Sequence, residues 1–267
     1  MKKLEKFVKK RTDHIDSLLE KSGSSFTPGD FHSFRVEIKK LKCAAGIIND
    51  ARDKFRYKQT TRPFRQLFKK AGQVRNADIE NALLAKYPQN ALRQYRKALR
   101  EKRQDDKARF ISFVRKIDPS EMKHSGKKII SESKDVSKKE VAAYLKSREK
   151  ELKQYLKKQP LKQQELHELR KILKETAYAR NILALKDGPE NKYLNSLSDT
   201  LGKWHDMDIT LTHLRRVTGH KTTPRQDQAK VNRLIQKLRR QNEHYLEMIH
   251  TNIDQLNKQN KVAKKNQ

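Results

Sequence analysis

The chain has 267 residues, with 64 Lys and Arg against 32 Asp and Glu, so its formal net charge is +32. Eight glycines and seven prolines are few for this length and favour long helices, while a single cysteine excludes a disulfide framework and a cysteine-rich zinc site within the chain. No apolar run approaches the roughly 18 residues of a membrane span, and no apolar stretch follows the basic N-terminus as it would in a signal peptide, so a cytoplasmic protein is expected.

Apolar residues recur at helical spacing along most of the chain, which predicts an all-α fold. The predicted helices cover about residues 2–20, 28–52, 57–86, 89–116, 138–160, 161–186, 190–217 and 224–261. The second helix begins with a capping box, in which Thr27 is the N-cap, Pro28 the first helical residue and Asp30 the N3 residue. Residues 118–137 have little periodicity and are predicted to be a linker. Breaks between helices are expected at 186–189 and 219–224.

A pattern of cations is repeated in the two parts of the chain. FHSFRVEIKKLK at 31–42 and LHELRKILKETA at 166–177 share His, Arg and Lys at the same spacing. The following helices share two apolar residues, a Gly and an Asp, which are Phe64, Leu67, Gly72 and Asp78 in the first and Leu194, Leu197, Gly202 and Asp208 in the second. The third helices align more loosely, with Leu99, Arg103 and Phe110 opposite Ile235, Arg239 and Leu246. An internal duplication is therefore expected, with halves at 1–117 and 138–262.

The repeated cations lie beside the apolar face of their helix. At 100° per residue, His32, Arg35, Lys39 and Lys42 span an arc of about 80°, which borders the arc of Phe34 and its apolar neighbours. Solvated charge usually lies on the opposite face, and cations beside a core are costly unless an anion compensates them. Two interpretations stay open, a groove that binds phosphate or sulfate and a set of ion pairs with Glu and Asp of neighbouring helices.

At these residues the sequence resembles the CHAD family, the conserved histidine α-helical domain. The resemblance rests on FHSFRVEIKKLK, LHELRKILKETAYAR, KKAGQVRNAD and DTLGKWHDMD, and it covers nearly the whole chain as a single domain over 1–267. It implies two helical-bundle halves related by pseudo-two-fold symmetry around a basic central cavity that binds inorganic polyphosphate without catalysis. With no CYTH-type triphosphate tunnel domain in the chain, it resembles a stand-alone member.

The resemblance implies polyphosphate contacts at the matching positions. These are His32, Arg35, Lys39 and Lys42 in the first half and His167, Arg170 and Lys174 in the second. The predicted set also includes Arg75, Lys203 and His205 on the second helices and Arg103 and Arg239 on the third helices. Ala177 replaces the cation that matches Lys42, and Arg75 stands where the second half has His205, so equal roles for the halves are in doubt. Arg103 and Arg239 either extend the cavity wall or are ordinary surface residues.

Other conspicuous residues have simpler explanations. Gly72 and Gly202 stand inside helical patterns, where close helix packing is the favoured reason and close approach of a ligand the alternative. Asp206 and Asp208 are two residues apart and point to different helix faces, so no metal site is predicted. Asp78 and Asp208 are expected to pair with Arg or cap backbone groups. Cys43 is expected to be a small packed residue rather than a catalytic thiol.

The sequence is compatible with three functions. The first is binding of long-chain inorganic polyphosphate, with phosphate or sulfate ions as further ligands and an association with polyphosphate granules. The second is binding of nucleic acid, RNA above all, through the same basic surface; few of the 18 aromatic residues are expected to be free to stack on bases. The third is a polyphosphate-acting enzyme, which would need a carboxylate cluster for Mg²⁺ or an activated nucleophile, and neither is visible. The sequence therefore predicts a binding protein that is not an enzyme and needs no cofactor.

Overall fold

The computed structural model describes residues 2–21, 25–87, 92–158, 160–186, 189–219 and 225–265. In these ranges the chain forms helices without strands, which confirms the predicted all-α fold. The helices are α1 (Lys2–Leu19), α2 (Pro28–Ala51), α3 (Tyr57–Thr60), α4 (Arg62–Leu84), α5 (Arg93–Lys116), α6 (Pro119–Lys134), α7 (Lys138–Lys157), α8 (Gln163–Leu183), α9 (Pro189–Gly219) and α10 (Arg225–Lys265). The central residues of the two predicted breaks, 187–188 and 220–224, lie outside the described residues.

The predicted capping box at the start of α2 is confirmed. The Thr27 hydroxyl accepts a hydrogen bond from the Asp30 amide at 3.3 Å, and the Asp30 carboxylate accepts one from the Thr27 amide at 2.7 Å. Lys21 adds an ion pair to the same carboxylate at 2.6 Å. These contacts satisfy the first amides of α2. They thereby fix the start of the helix that carries His32, Arg35, Lys39 and Lys42.

The predicted linker at 118–137 is wrong, because α6 occupies most of it. Asp118 caps this helix by accepting a hydrogen bond from the Ser120 amide at 2.7 Å, and Pro119 is its first residue. The buried face of α6 consists of Met122, Ser125, Gly126, Ile129 and Ser133. Three of these five are small, since α1 packs closely against α6: a Cβ on Gly126 would lie 3.3 Å from the Thr12 methyl. The small residues hide the helical periodicity from an analysis of apolar spacing.

The chain divides into two compact units, each with its own core. The first unit comprises residues 1–79, 97–148 and 175–185, and the second comprises 80–96, 149–174 and 186–267. In the first unit, the ring of Phe110 lies 5.3 Å from Phe26, 5.0 Å from Phe31 and 5.6 Å from Phe34. In the second, Trp204 is buried with leucines and isoleucines of α7, α8, α9 and α10. The duplication into halves, its symmetry and a central cavity stay predictions.

A helix needs about 20 mostly apolar residues in succession to cross a membrane. None of the described helices contains a stretch that is both long enough and apolar enough to cross a bilayer.

Candidate polyanion-binding site

The cationic stripe predicted on α2 borders the core of the first unit. Phe34 and Ile38 are fully buried, whereas Arg35, Lys39 and Lys42 on the adjoining face are half-buried and His32 is exposed. The positions agree with the helical arithmetic from the sequence. Three cations therefore lie at the edge of the apolar core, along one face of α2.

Phe68 on α4 is the residue around which these cations gather. The Arg35 guanidinium carbon lies 4.2 Å from the centre of the Phe68 ring, and the ammonium nitrogens of Lys39 and Lys42 lie 6.0 and 5.8 Å from it. Arg35 also donates from Nη1 to the carbonyl oxygen of Phe68 at 3.4 Å. An aromatic face attracts cations without neutralising them, so the Phe68 ring helps to position Arg35, Lys39 and Lys42. We call His32, Arg35, Lys39, Lys42 and Phe68 the first basic cluster.

Phe68 is not among the site residues that the sequence predicts. Its aromatic ring occupies an apolar position of α4 and therefore fits a core role, but it is half-buried. The signal that could have found it is its position one helical turn before Gly72, the glycine inside the same predicted helix.

Gly72 makes room for Arg35. A Cβ at residue 72 would lie 2.1 Å from Nη1 and 3.3 Å from Cζ of Arg35, so the guanidinium occupies the space that a side chain would fill. Close helix packing was the favoured explanation for both internal glycines. At Gly72 the close neighbour is the Arg35 side chain of α2, a contact between helices, whereas at Gly202 a Cβ would meet no described atom within 4 Å, so the packing prediction is wrong there.

Arg103 and Asp78 form an ion pair at the edge of the first unit. Arg103 Nε lies 2.5 Å from Asp78 Oδ1, and the Asp78 side chain is 7% exposed. The expectation that Asp78 pairs with an Arg is therefore confirmed. This carboxylate offsets the charge of Arg103, which makes Arg103 a weaker candidate for phosphate binding than the cations around Phe68.

The second unit places His167 in a group of polar and aromatic side chains. Its ring centre lies 4.9 Å from that of Trp204 and 5.0 Å from that of His205, to which it is nearly perpendicular. His167 Nε2 also lies 3.8 Å from Asp208 Oδ2. Gln163 donates to both oxygens of Asp208, at 2.8 and 2.9 Å. Asp208 therefore orients a histidine and a glutamine here, whereas its counterpart Asp78 pairs with an arginine.

Arg170 and Lys174 are near neighbours on α8. Burial lowers the pKa of Lys174, the positive charge of Arg170 lowers this pKa further, and Asp199 opposes both effects. A lysine whose pKa is depressed by an adjacent cation lies in a local excess of positive charge. An anion bound between the two side chains would relieve this repulsion. We call His167, Arg170, Lys174 and His205 the second basic cluster.

The contacts described above do not involve three of the predicted site residues. Lys203 and Arg239 are exposed and Arg75 is half-buried. Their participation in binding stays a prediction.

The aromatic residues are withdrawn from solvent. All 18 Phe, Tyr and Trp side chains of the chain fall in described positions, and each is buried or half-buried. The exposed large hydrophobic residues of the described chain are Leu185 and Met248, neither of which is aromatic. Stacking platforms of the kind that bind single-stranded nucleic acid need an accessible ring face, and no aromatic ring of this chain is fully exposed.

Metal binding and catalysis by a thiol are the two other chemistries that the sequence raises. In the described ranges, His, Cys, Asp and Glu residues form no group of three or more that could hold a metal ion. Cys43 is 3% exposed, and burial, followed by the charge of Glu175, raises the pKa of its thiol. The prediction of a small packed cysteine is confirmed.

Solved structures with the same fold support this architecture. The CHAD domain from the plant Ricinus communis has 15% sequence identity and a TM-score of 0.74, over 95% of this chain and 91% of its own length. PptA from Streptomyces chartreusis has 11% identity and a TM-score of 0.71, over 96% and 98%. At these identities the likeness concerns the fold.

Comparison of sequences assigns the family. No curated protein matches the chain significantly, but the sequence model of the CHAD domain matches residues 7–215, more than half of the chain. The chain belongs to the CHAD domain family, a family associated with polyphosphate binding.

Proposed function

We propose that this protein binds long-chain inorganic polyphosphate at its two basic clusters and does so without catalysis. The observation that carries the proposal is the gathering of Arg35, Lys39 and Lys42 around Phe68 at the edge of the core. The depressed pKa of Lys174 beside Arg170 supports the same role for the second cluster.

The chemistry of these side chains suits a bare phosphate chain. Polyphosphate carries about one negative charge per phosphate and offers little else to recognise, so a binder needs converging cations. Arg supplies paired donors to phosphate oxygens, and Lys supplies a mobile point charge. Because Arg35 is held by the Phe68 ring and carbonyl, less side-chain entropy is lost when it binds a phosphate.

The arrangement of aromatic residues argues against nucleic acid as the preferred ligand. Base stacking contributes about 1–3 kcal/mol per base in proteins that bind single strands. With every aromatic side chain buried or half-buried, RNA or DNA would gain little from stacking and would bind mainly by charge neutralisation. We therefore expect nucleic acid to be the weaker polyanion.

A competition titration tests the choice of ligand. Labelled long-chain polyphosphate is bound at near-physiological salt and challenged with single-stranded RNA or duplex DNA at matched phosphate concentration. Displacement only at large excess of nucleic acid is expected. Equal or better competition by RNA or DNA would overturn the proposal in favour of nucleic-acid binding.

The absence of catalysis is tested separately. The protein is incubated with polyphosphate and Mg²⁺, and free phosphate and chain length are followed over time. We expect both to match the protein-free control. Phosphate release or chain shortening that depends on the protein would show an enzyme.

The pKa of Lys174 gives a further prediction for the second cluster. A phosphate bound beside Lys174 stabilises the ammonium form and raises the pKa that Arg170 and burial have lowered. Binding at about pH 9.5, where histidines are neutral and lysines begin to titrate, should therefore take up a fraction of a proton. Calorimetry in two buffers of different ionisation enthalpy measures this uptake.

Lys174→Arg is the matched variant for that measurement. Arginine keeps the positive charge but stays protonated at this pH, so binding should persist while the part of the proton uptake due to residue 174 disappears. Unchanged uptake in Lys174→Arg would show that phosphate does not bind beside this residue.

A further inference from the structure

We propose that a pocket at the C-terminal end of α1 binds a small organic amine, with the apolar part of the ligand inside and its ammonium group at Asp16 and Glu20. The pocket lies within the first unit, where α1, the end of α5 and the first turns of α6 meet. It is separate in residues from both basic clusters and independent of polyphosphate binding.

The size and lining of the pocket define the apolar part of the ligand. Its volume is about 200 Å³. The apolar part of its wall consists of Leu19, Val114, Ile117 and Met122. An engineered cavity of about 150 Å³ lined by apolar side chains holds a benzene molecule. The pocket therefore suits one ring or a short aliphatic chain with a polar arm.

The electrostatics define the polar arm as a cation. Burial raises the pKa of Asp16; the charge of Lys123 opposes this shift, and the charges of Asp13 and Glu20 add to it. A carboxylate in that position is short of positive charge, and an ammonium group would relieve the shortage. With two lining carboxylates, Asp16 and Glu20, against the single lysine Lys123, the pocket is locally acidic on a strongly basic chain.

The ends of α1 and α6 also favour a positively charged ligand. Asp16 lies in the last turns of α1, which has no basic residue in its last turn, so the partial negative charge of the helix C-terminus is not offset there. The positive N-terminus of α6 is already occupied, since Asp118 accepts the Ser120 amide. Lys123 also lines the pocket and its charge acts on Asp16, so the ammonium group of a ligand would share the two lining carboxylates, Asp16 and Glu20, with this lysine.

Methionine methyl signals provide the test in the full chain. The protein has four methionines; Met122 is a wall residue of the pocket, and Met207 is buried in the second unit. Protein labelled with ¹³C at the methionine methyls is titrated with 2-phenylethylamine, 2-phenylethanol and phenylacetate at neutral pH. We expect a saturable shift of the Met122 signal with the amine, without a shift at Met207. The alcohol should bind about two- to fivefold more weakly, and the carboxylate should not bind.

Two matched substitutions test the role of the carboxylate. Asp16→Asn should reduce the amine affinity to that of the alcohol, whereas Asp53→Asn, the same charge change at an exposed site, should leave it unchanged. Three results would each overturn the proposal. They are no saturable shift at Met122, equal affinity for alcohol and amine, and equal losses in Asp16→Asn and Asp53→Asn.

Discussion

Arg35→Glu should weaken polyphosphate binding at least about tenfold at physiological salt, and Arg170→Glu should do the same at the second cluster. A hydrogen bond to a charged group contributes about 1.5–3 kcal/mol, and 1.4 kcal/mol corresponds to a tenfold change in affinity. Reversal of the charge adds repulsion of the phosphates to that loss. The effect at Arg35 should be larger than the contact alone implies, since the new carboxylate would also neutralise Lys39 and Lys42 beside Phe68.

The matched control is Arg100→Glu. Arg100 is an exposed residue of α5 in a segment of mixed charge. The substitution Arg100→Glu changes the net charge by the same amount as Arg35→Glu or Arg170→Glu. Affinity is measured by titration at several salt concentrations, because exposed charges are screened over about 8 Å at 0.15 M salt. A small loss that vanishes with salt is expected for Arg100→Glu. Equal losses in the three variants would indicate diffuse attraction of a polyanion and contradict binding at the clusters.

The parts of the fold that the sequence predicts are those with local causes. The start of α2 follows from Thr27, Pro28 and Asp30, whose capping contacts span four residues. The placement of Arg35 beside the core follows from 3.6 residues per turn and needs no knowledge of neighbouring helices. Both predictions were confirmed because helix geometry alone decides them.

The parts that were missed depend on contacts between helices. The buried face of α6 includes Gly126 and Ser133 because α1 lies close to it, and apolar spacing does not register small residues. Asp78 and Asp208 have matching sequence positions, yet one pairs with Arg103 and the other with Gln163. The partner of each carboxylate is set by residues on other helices, which a repeat within the sequence does not specify.

The packing explanation that failed at Gly202 has the same origin. A glycine inside a helical pattern indicates that a side chain is disfavoured or unnecessary, without saying which atoms are nearby. At Gly72 the neighbour is the Arg35 guanidinium, and at Gly202 a Cβ would meet no described atom within 4 Å. Equivalent positions in the sequence therefore carry different constraints, and this difference can be measured.

Gly72→Ala and Gly202→Ala should separate binding from stability. Alanine is favoured over glycine in a helix by about 1 kcal/mol. At residue 202 the new methyl group has open space, so the free energy of unfolding should rise by about that amount and polyphosphate affinity should not change. At residue 72 the methyl group would meet Nη1 of Arg35 at 2.1 Å, and the guanidinium would have to leave the Phe68 ring and carbonyl.

The displaced guanidinium keeps its charge but loses its position, so the loss of affinity in Gly72→Ala tests positioning rather than net charge. We expect polyphosphate affinity to fall severalfold, while the free energy of unfolding changes little, because the helical gain offsets the lost Arg35 contacts. Denaturant unfolding and polyphosphate titration of both variants measure the two quantities. If Gly72→Ala bound as tightly as the unchanged protein, the Arg35 position over Phe68 would not matter for binding. If Gly202→Ala lost affinity to the same extent, the open space there would be part of a ligand site.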